Sequence, residues 1–287
     1  MTDTSERKEK RIVIQGYAGA FHQIAAQLYF ENEIIEITPT DSFEELVRIT
    51  ENPDRADIAL MAIENSVAGN IAYNYDLVRQ SKLKITGEIY LRIRQNLMTL
   101  PGVAIEQLTE VHSHYMALAQ SREFLRHYPH LKLIETSDTA LSAKAIREND
   151  WQHVGAIAST LAAELYNLEI IAPSIETDKE NYTRFWVLER ENAPTKTESA
   201  EKVSICFSTD HEVGSLYRIL SILSAYHINL TSIHSRPILG KPWEYRIFVD
   251  FVAAGKLSYE QAIEAIRPLT YDLTVMGMYE VGKHHDY

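Results

Sequence analysis

Apolar residues run along this chain in two rhythms, and their arrangement changes once. From residue 11 to 190, short apolar runs alternate with segments whose apolar positions recur every three or four residues. RIVIQ (11–15) reads as a strand, and AFHQIAAQLYF after it puts Phe21, Ile24, Ala25, Leu28 and Tyr29 at helical spacing. Ser42 and Glu45 form a capping box that opens a helix with Phe43, Leu46 and Val47 on one face. The unbroken run IALMAI (58–63) predicts a strand buried on both faces, as parallel strands are. VGAIA (154–158) predicts another strand, with the helical TLAAELYNL behind it. This is an α/β pattern with parallel strands.

Residues 191–201, ENAPTKTESAE, carry no apolar period and predict a linker. Beyond it, KVSICFS is a strand and GSLYRILSILSAY is a helix with Leu216, Ile219, Leu220, Leu223 and Tyr226 on one face. NLTSIHSRP and WEYRIFVDF are strands joined by a turn containing Gly240. YEQAIEAIRPL is a helix, and YDLTVMGMYEV is a last strand. The order βαββαβ predicts a small ferredoxin-like domain.

Composition narrows the function more than the fold. Hydrophobic residues are 45% and charged residues 24%, ordinary for a globular chain. The formal net charge of −12 argues against a nucleic-acid partner, because that binding is driven by clustered Lys and Arg. The polar start MTDTSERKEKR resembles no signal peptide, and no apolar run is long enough for a membrane helix. With one cysteine, Cys206, no internal disulfide can form, and a cytoplasmic location is the expectation.

Three polar clusters end predicted strands, where ligands bind in open α/β sheets. GYAGAF (16–21) is a glycine turn opening a helix, a geometry suited to an anion but equally to a plain turn. IENS (63–66) ends the buried run, and turn or cap chemistry alone would account for it. VHSHYMALAQ (111–120) passes from strand to helix. His112 and His114 lack a third ligand pattern, so no metal site is expected. In ENYTRFWVLER, Thr183 and Arg184 stand at the mouth of a bulky, strand-like run. Singly each cluster fits a structural role; together they predict a cleft.

The order of these motifs resembles prephenate dehydratase with a C-terminal ACT regulatory domain, over nearly the whole chain. GYAGAF-H, IENSVAGNIAYNYDLV, ITGEIYLRIRQNL, VHSHYMALAQ, IETDKENYTRF, GSLYRIL, INLTSIHSRP and WEYRIFVDF carry the resemblance, NYTRF most specifically. It implies a two-lobed, periplasmic-binding-protein-like α/β catalytic region over 11–190, followed by an α+β ferredoxin-like ACT domain over 202–280. It implies decarboxylating dehydration of prephenate to phenylpyruvate without cofactor, feedback inhibition by L-phenylalanine, and a homodimer or homotetramer.

Carried over by residue, Thr183 would donate to the leaving hydroxyl, and Asn65, Ser66, Ser113 and Gln120 would orient the substrate. Arg184 would hold a carboxylate, although an extended chain turns Thr183 and Arg184 to opposite faces. The effector would sit against Gly214, Ser215, Leu216, Asn229, Leu230 and Ser235. Three motifs depart from the family pattern: His234 replaces a glutamate (HSRP), Ser215 an alanine (GSL), and Tyr115–Met116 the usual PQ after Ser-His. Arogenate as substrate and a non-catalytic amino-acid sensor are the competing readings.

Overall fold

The fold is described by a computed structural model covering residues 9–191, 201–252 and 259–287. Apart from its end residues Glu191 and Glu201, the expected linker lies outside the described residues. The chain forms two compact units that do not follow chain order. The first contains residues up to Ile71, then Ile89–Phe185 and the C-terminal Lys283–Tyr287; the second contains Ala72–Glu88 and Trp186–Gly282.

The first unit has two lobes. In one, strands Lys10–Gln15, Ile35–Thr40 and Ile58–Asn65 are parallel, with Ile12 paired to both Ile37 and Ile58. The apolar run Ile58–Ile63 is buried throughout, because helices cover the sheet on both faces. Each such Ile or Leu contributes roughly 1.5–3 kcal/mol by leaving water. Helix Phe43–Thr50 is capped as expected at its start, where Ser42 Oγ accepts from the Glu45 N–H at 3.2 Å.

The second lobe holds a five-stranded sheet in the order Glu169–Ala172, Asn96–Thr99, Val154–Ala158, Glu110–His114, Lys132–Thr136. Asn96–Thr99 runs antiparallel to both of its neighbours, while Glu110–His114 is parallel to both of its own, so the sheet is mixed. Apolar runs alone do not encode strand direction; connection geometry does. Leu97, Met98, Val111, Ile146, Val154 and Ile157 form the core of this lobe.

The second unit is built on an antiparallel sheet ordered Asn229–Pro237, Tyr245–Val252, Lys202–Ser208, Tyr271–Tyr279. Helices Ser215–Ala225 and Tyr259–Ile266 complete the βαββαβ order. Alternate residues Val203, Ile205 and Phe207 meet Ile219, Leu223 and Ile263 in one core. Helix Ala72–Gln80 belongs to this unit, with the Tyr75 ring edge-on to Trp186, His234 and Phe248. Among the described residues no helix is long and apolar enough to cross a membrane.

Candidate active site

Within the first unit, a cavity of about 510 Å³ is lined from both lobes. Strand Tyr182–Arg190 brings Thr183 to it, the end of strand Ile58–Asn65 brings Asn65, and helix Tyr115–Gln120 brings Gln120. These three side chains are linked by hydrogen bonds whose directions can be assigned in sequence. Asn65 Oδ1 accepts the backbone N–H groups of Val67 (3.1 Å) and Ala68 (2.8 Å), which fixes the amide orientation. Its Nδ2 therefore faces the other way, donating to Asn181 Oδ1 at 2.7 Å and Thr183 Oγ1 at 3.0 Å. Thr183 accepts there, which leaves its own O–H to donate elsewhere. Asn181 Nδ2 then donates to Gln120 Oε1 at 3.0 Å, and Gln120 Nε2 to Asn65 Oδ1 at 3.3 Å. Backbone geometry in one turn thus sets the polarity of the whole ring of side chains.

The remaining expected residues lie around this ring without lining the cavity. Ser66 Oγ donates to the Glu180 carbonyl (2.8 Å) and accepts the Tyr182 N–H (2.9 Å), clamping the strand that carries Thr183. Ser113 is fully buried and donates to the Ile157 carbonyl at 2.6 Å. Strand alternation explains this, since His114 beside it is the neighbour that faces the cavity. Arg184 points away from Thr183, its guanidinium 3.8 Å from Glu64 and 5.9 Å from the Tyr90 ring centre. His112 pairs with Glu110 at 2.9 Å. Among the described residues no group of three potential ligands could hold a metal ion.

Three residues of the site were missed in the sequence: Asn181, Gln95 and Asp138, which lines the cavity from the start of helix Thr139–Asn149. Asn181, buried beside Asn65, stands two positions before Thr183, and a period-two reading of NYT would have put both on one side. Gln95 lines the cavity and donates from Nε2 to Gln120 Oε1 at 3.4 Å, while Glu176 Oε2 accepts its backbone N–H at 2.8 Å.

The GYAGAF turn braces the two lobes. Gly16 and Gly19 have φ of +103° and +91°, which an L side chain rarely adopts. A Cβ on Gly19 would lie 2.8 Å from the Ala162 Cα. The turn's carbonyls accept from the opposite lobe, Gly19 O from Ser159 Oγ (2.6 Å) and Ala18 O from Tyr166 OH (2.8 Å).

His22 stands in the cavity wall, accepting the Ala62 N–H on Nε2 at 3.2 Å, and burial holds its pKa down at about 3. The unfolded chain takes up this proton near the ordinary value of about 6.5, whereas the folded chain resists it to about 3. Below pH ~6.5 the unfolded state therefore binds more protons, and stability falls as pH drops through that window. The cost at pH 5 should be about 2 kcal/mol. His22→Gln keeps an acceptor for Ala62, so its stability loss between pH 7 and 5, measured by urea unfolding, should be smaller by about this amount. An equal loss in both proteins would refute the assignment.

The second unit has a separate cavity of about 650 Å³. Of the expected effector residues, Ser215, Leu216 and Ser235 line it, with His234, Trp243 and Tyr245 added. Gly214, Asn229 and Leu230 do not. Gly214 supplies the turn before helix Ser215–Ala225 with φ +83°, and Leu230 packs on the sheet-and-helix core.

A family model described as prephenate dehydratase matches residues 12–193, and one described as ACT domain matches 204–269. Arogenate dehydratase 5, chloroplastic, of Arabidopsis thaliana is 35% identical over 287 residues, which is 94% of this chain and 67% of that protein. A structure of prephenate dehydratase from Arthrobacter aurescens in complex with L-Phe superposes with a TM-score of 0.84 at 25% identity, covering 94% of this chain and 90% of that one. GqqA, described as a novel type of quorum quenching acylase, superposes with a TM-score of 0.85 at 26% identity, over 95% and 98% of the two chains.

Proposed function

Because the chain belongs to the prephenate dehydratase family, we propose that it converts prephenate to phenylpyruvate under feedback inhibition by L-phenylalanine. The observation that carries this reading is the oriented network ending on Thr183. Prephenate has a carboxylate and its keto-acid side chain on ring C1, and a hydroxyl on C4. The C1–carboxylate bond breaks to release CO2, its electron pair moves through the ring, and the C4–O bond breaks. The departing oxygen takes a proton and leaves as water, and the ring becomes aromatic.

The barrier lies in expelling a poor leaving group. A threonine hydroxyl is too weak an acid to transfer its proton ahead of that cleavage. Its hydrogen bond strengthens as negative charge builds on the departing oxygen, which is differential stabilisation of the transition state. Asn65, by donating to Thr183 Oγ1, both polarises the hydroxyl and aims its hydrogen away from itself. Gln120 and Gln95 offer amide groups to the substrate's carboxylates, and Asn65 and Asn181 hold them in register. Arg184, turned to the other face, braces the strand through Glu64.

In the second unit, the cavity at Ser215 and Leu216 combines a helix N-terminus, suited to an amino acid's carboxylate, with the aromatic rings of Trp243 and Tyr245. L-Phenylalanine is its proposed occupant. Prephenate turnover should fall on adding L-phenylalanine, and Ser215→Trp, which fills the cavity from a buried position, should raise the half-inhibiting concentration at least tenfold. Unaltered inhibition in the variant would remove the effector from this cavity.

A further inference from the structure

The cavity beside Thr183 presents no cationic side chain to a substrate that carries two carboxylates. No lysine or arginine is among its lining residues. Its one acidic side chain, Asp138, caps helix Thr139–Asn149 by accepting the Leu141 N–H at 2.9 Å. Its two histidines, His22 and His114, have pKa values lowered by burial and stand neutral at pH 7. Anion binding here therefore falls to neutral donors, and the amides of Gln95 and Gln120 are not the only ones.

His22 stands where strand Lys10–Gln15 has ended. That strand pairs with Ile58–Asn65 as far as Ile14 beside Leu60, and the chain then turns into helix Phe21–Tyr29. Two residues beyond that pairing, the Ala62 N–H donates to His22 Nε2 at 3.2 Å. A nitrogen that accepts carries no hydrogen, so the neutral ring keeps its hydrogen on Nδ1. Burial holds the ring neutral, and so does its place in the first turn of a helix, where a cation is disfavoured. The Phe43 and Phe185 rings pack against it, 5.8 and 4.9 Å away between centres, and fix its plane. Nδ1 has no acceptor among the described residues and is not sealed in the core, so its hydrogen opens onto the cavity that His22 lines.

We propose that His22 is a substrate-binding residue whose Nδ1–H donates to the keto-acid side chain of the substrate. The proposal rests on the reading of this cavity as the dehydratase site. Phe185, which packs on His22, lies two residues beyond Thr183 on the same face of its strand, roughly 7 Å along it. This sets Thr183 and His22 apart on one wall, as the C4 hydroxyl and the C1 substituents are set apart across the ring. Of the two carboxylates on the C1 side, the one bonded to C1 leaves as CO2 and loses its charge during the reaction. A donor held against it would stabilise the ground state more than the transition state and slow the step. The keto acid keeps its charge throughout, so a donor there binds ground state and transition state alike and orients the ring without that cost.

The test is steady-state kinetics on prephenate with the full chain and its His22→Leu and His22→Gln variants. Leucine fills the space without a donor, whereas glutamine offers an oxygen to Ala62 and an NH2 group to the cavity. KM should rise about tenfold or more in His22→Leu, the loss of one hydrogen bond to a charged group, while kcat changes far less. His22→Gln should keep KM within about threefold of the wild type. An unmoved KM in folded His22→Leu would overturn the proposal, and so would a rise that His22→Gln shares in full. The wild type supplies a second reading that no folding failure can mask. Its imidazole 15N spectrum, with His22 assigned by its loss in His22→Gln, should show the hydrogen on Nδ1 and a shift on saturation with phenylpyruvate, which retains the keto acid. Hydrogen on Nε2, or a resonance that saturation leaves in place, would overturn the proposal alone. No turnover of prephenate by the wild type would bring down the dehydratase reading together with this one.

Discussion

Thr183→Ala lowers kcat for prephenate by about 10²–10³-fold, the loss expected when one preorganised donor to a developing oxyanion is removed. Folding should survive, because Thr183 is only half-buried and Asn65 keeps Asn181 and the Tyr182 carbonyl as acceptors. Thr183→Ser restores the donor and should recover most of the rate. The pair of variants separates chemistry from packing: a serine variant as slow as the alanine one would mean that the methyl group, and not the hydroxyl, matters. An alanine variant within a few-fold of wild type would remove Thr183 from the reaction.

The second large effect is on stability. Lys202 and Glu88, both in the second unit and 2% and 0% exposed in their side chains, form a two-pronged ion pair with Nζ at 2.8 and 2.9 Å from the carboxylate oxygens. Glu88 Oε1 also accepts the Gly282 N–H at 3.0 Å. Lys202→Met strands a buried carboxylate and should destabilise the protein by about 3–5 kcal/mol. Adding Glu88→Leu removes that charge as well, and the double variant should regain most of the loss. Denaturant unfolding of the three proteins measures this. Equal destabilisation of the single and double variants would mean that lost packing, rather than a stranded charge, sets the cost.

What was legible in the sequence depended on how many constraints each segment carried. Ile58–Ile63 was readable as a strand because every position is apolar, and the βαββαβ order was readable because each element has its own period. The compact unit formed by Ala72–Gln80 with the C-terminal sheet was not. Its anchor, Tyr75 against Trp186 and Phe248, joins residues more than a hundred positions apart. In the site, Thr183, Asn65 and Gln120 stood in distinctive motifs and do line one cavity. Ser113 and Ser66 lie off this cavity for a local reason: alternation and a turn point their hydroxyls at backbone carbonyls. Asp138 passed unnoticed because an aspartate at a helix start satisfies a capping role whether or not it also faces a cavity.

Direct assay of the purified chain tests the central claim: the initial rate of phenylpyruvate formation from prephenate, with and without L-phenylalanine. The account predicts turnover that L-phenylalanine suppresses. Folded protein that binds L-phenylalanine yet forms no product from prephenate or arogenate would contradict it and make the chain a sensor.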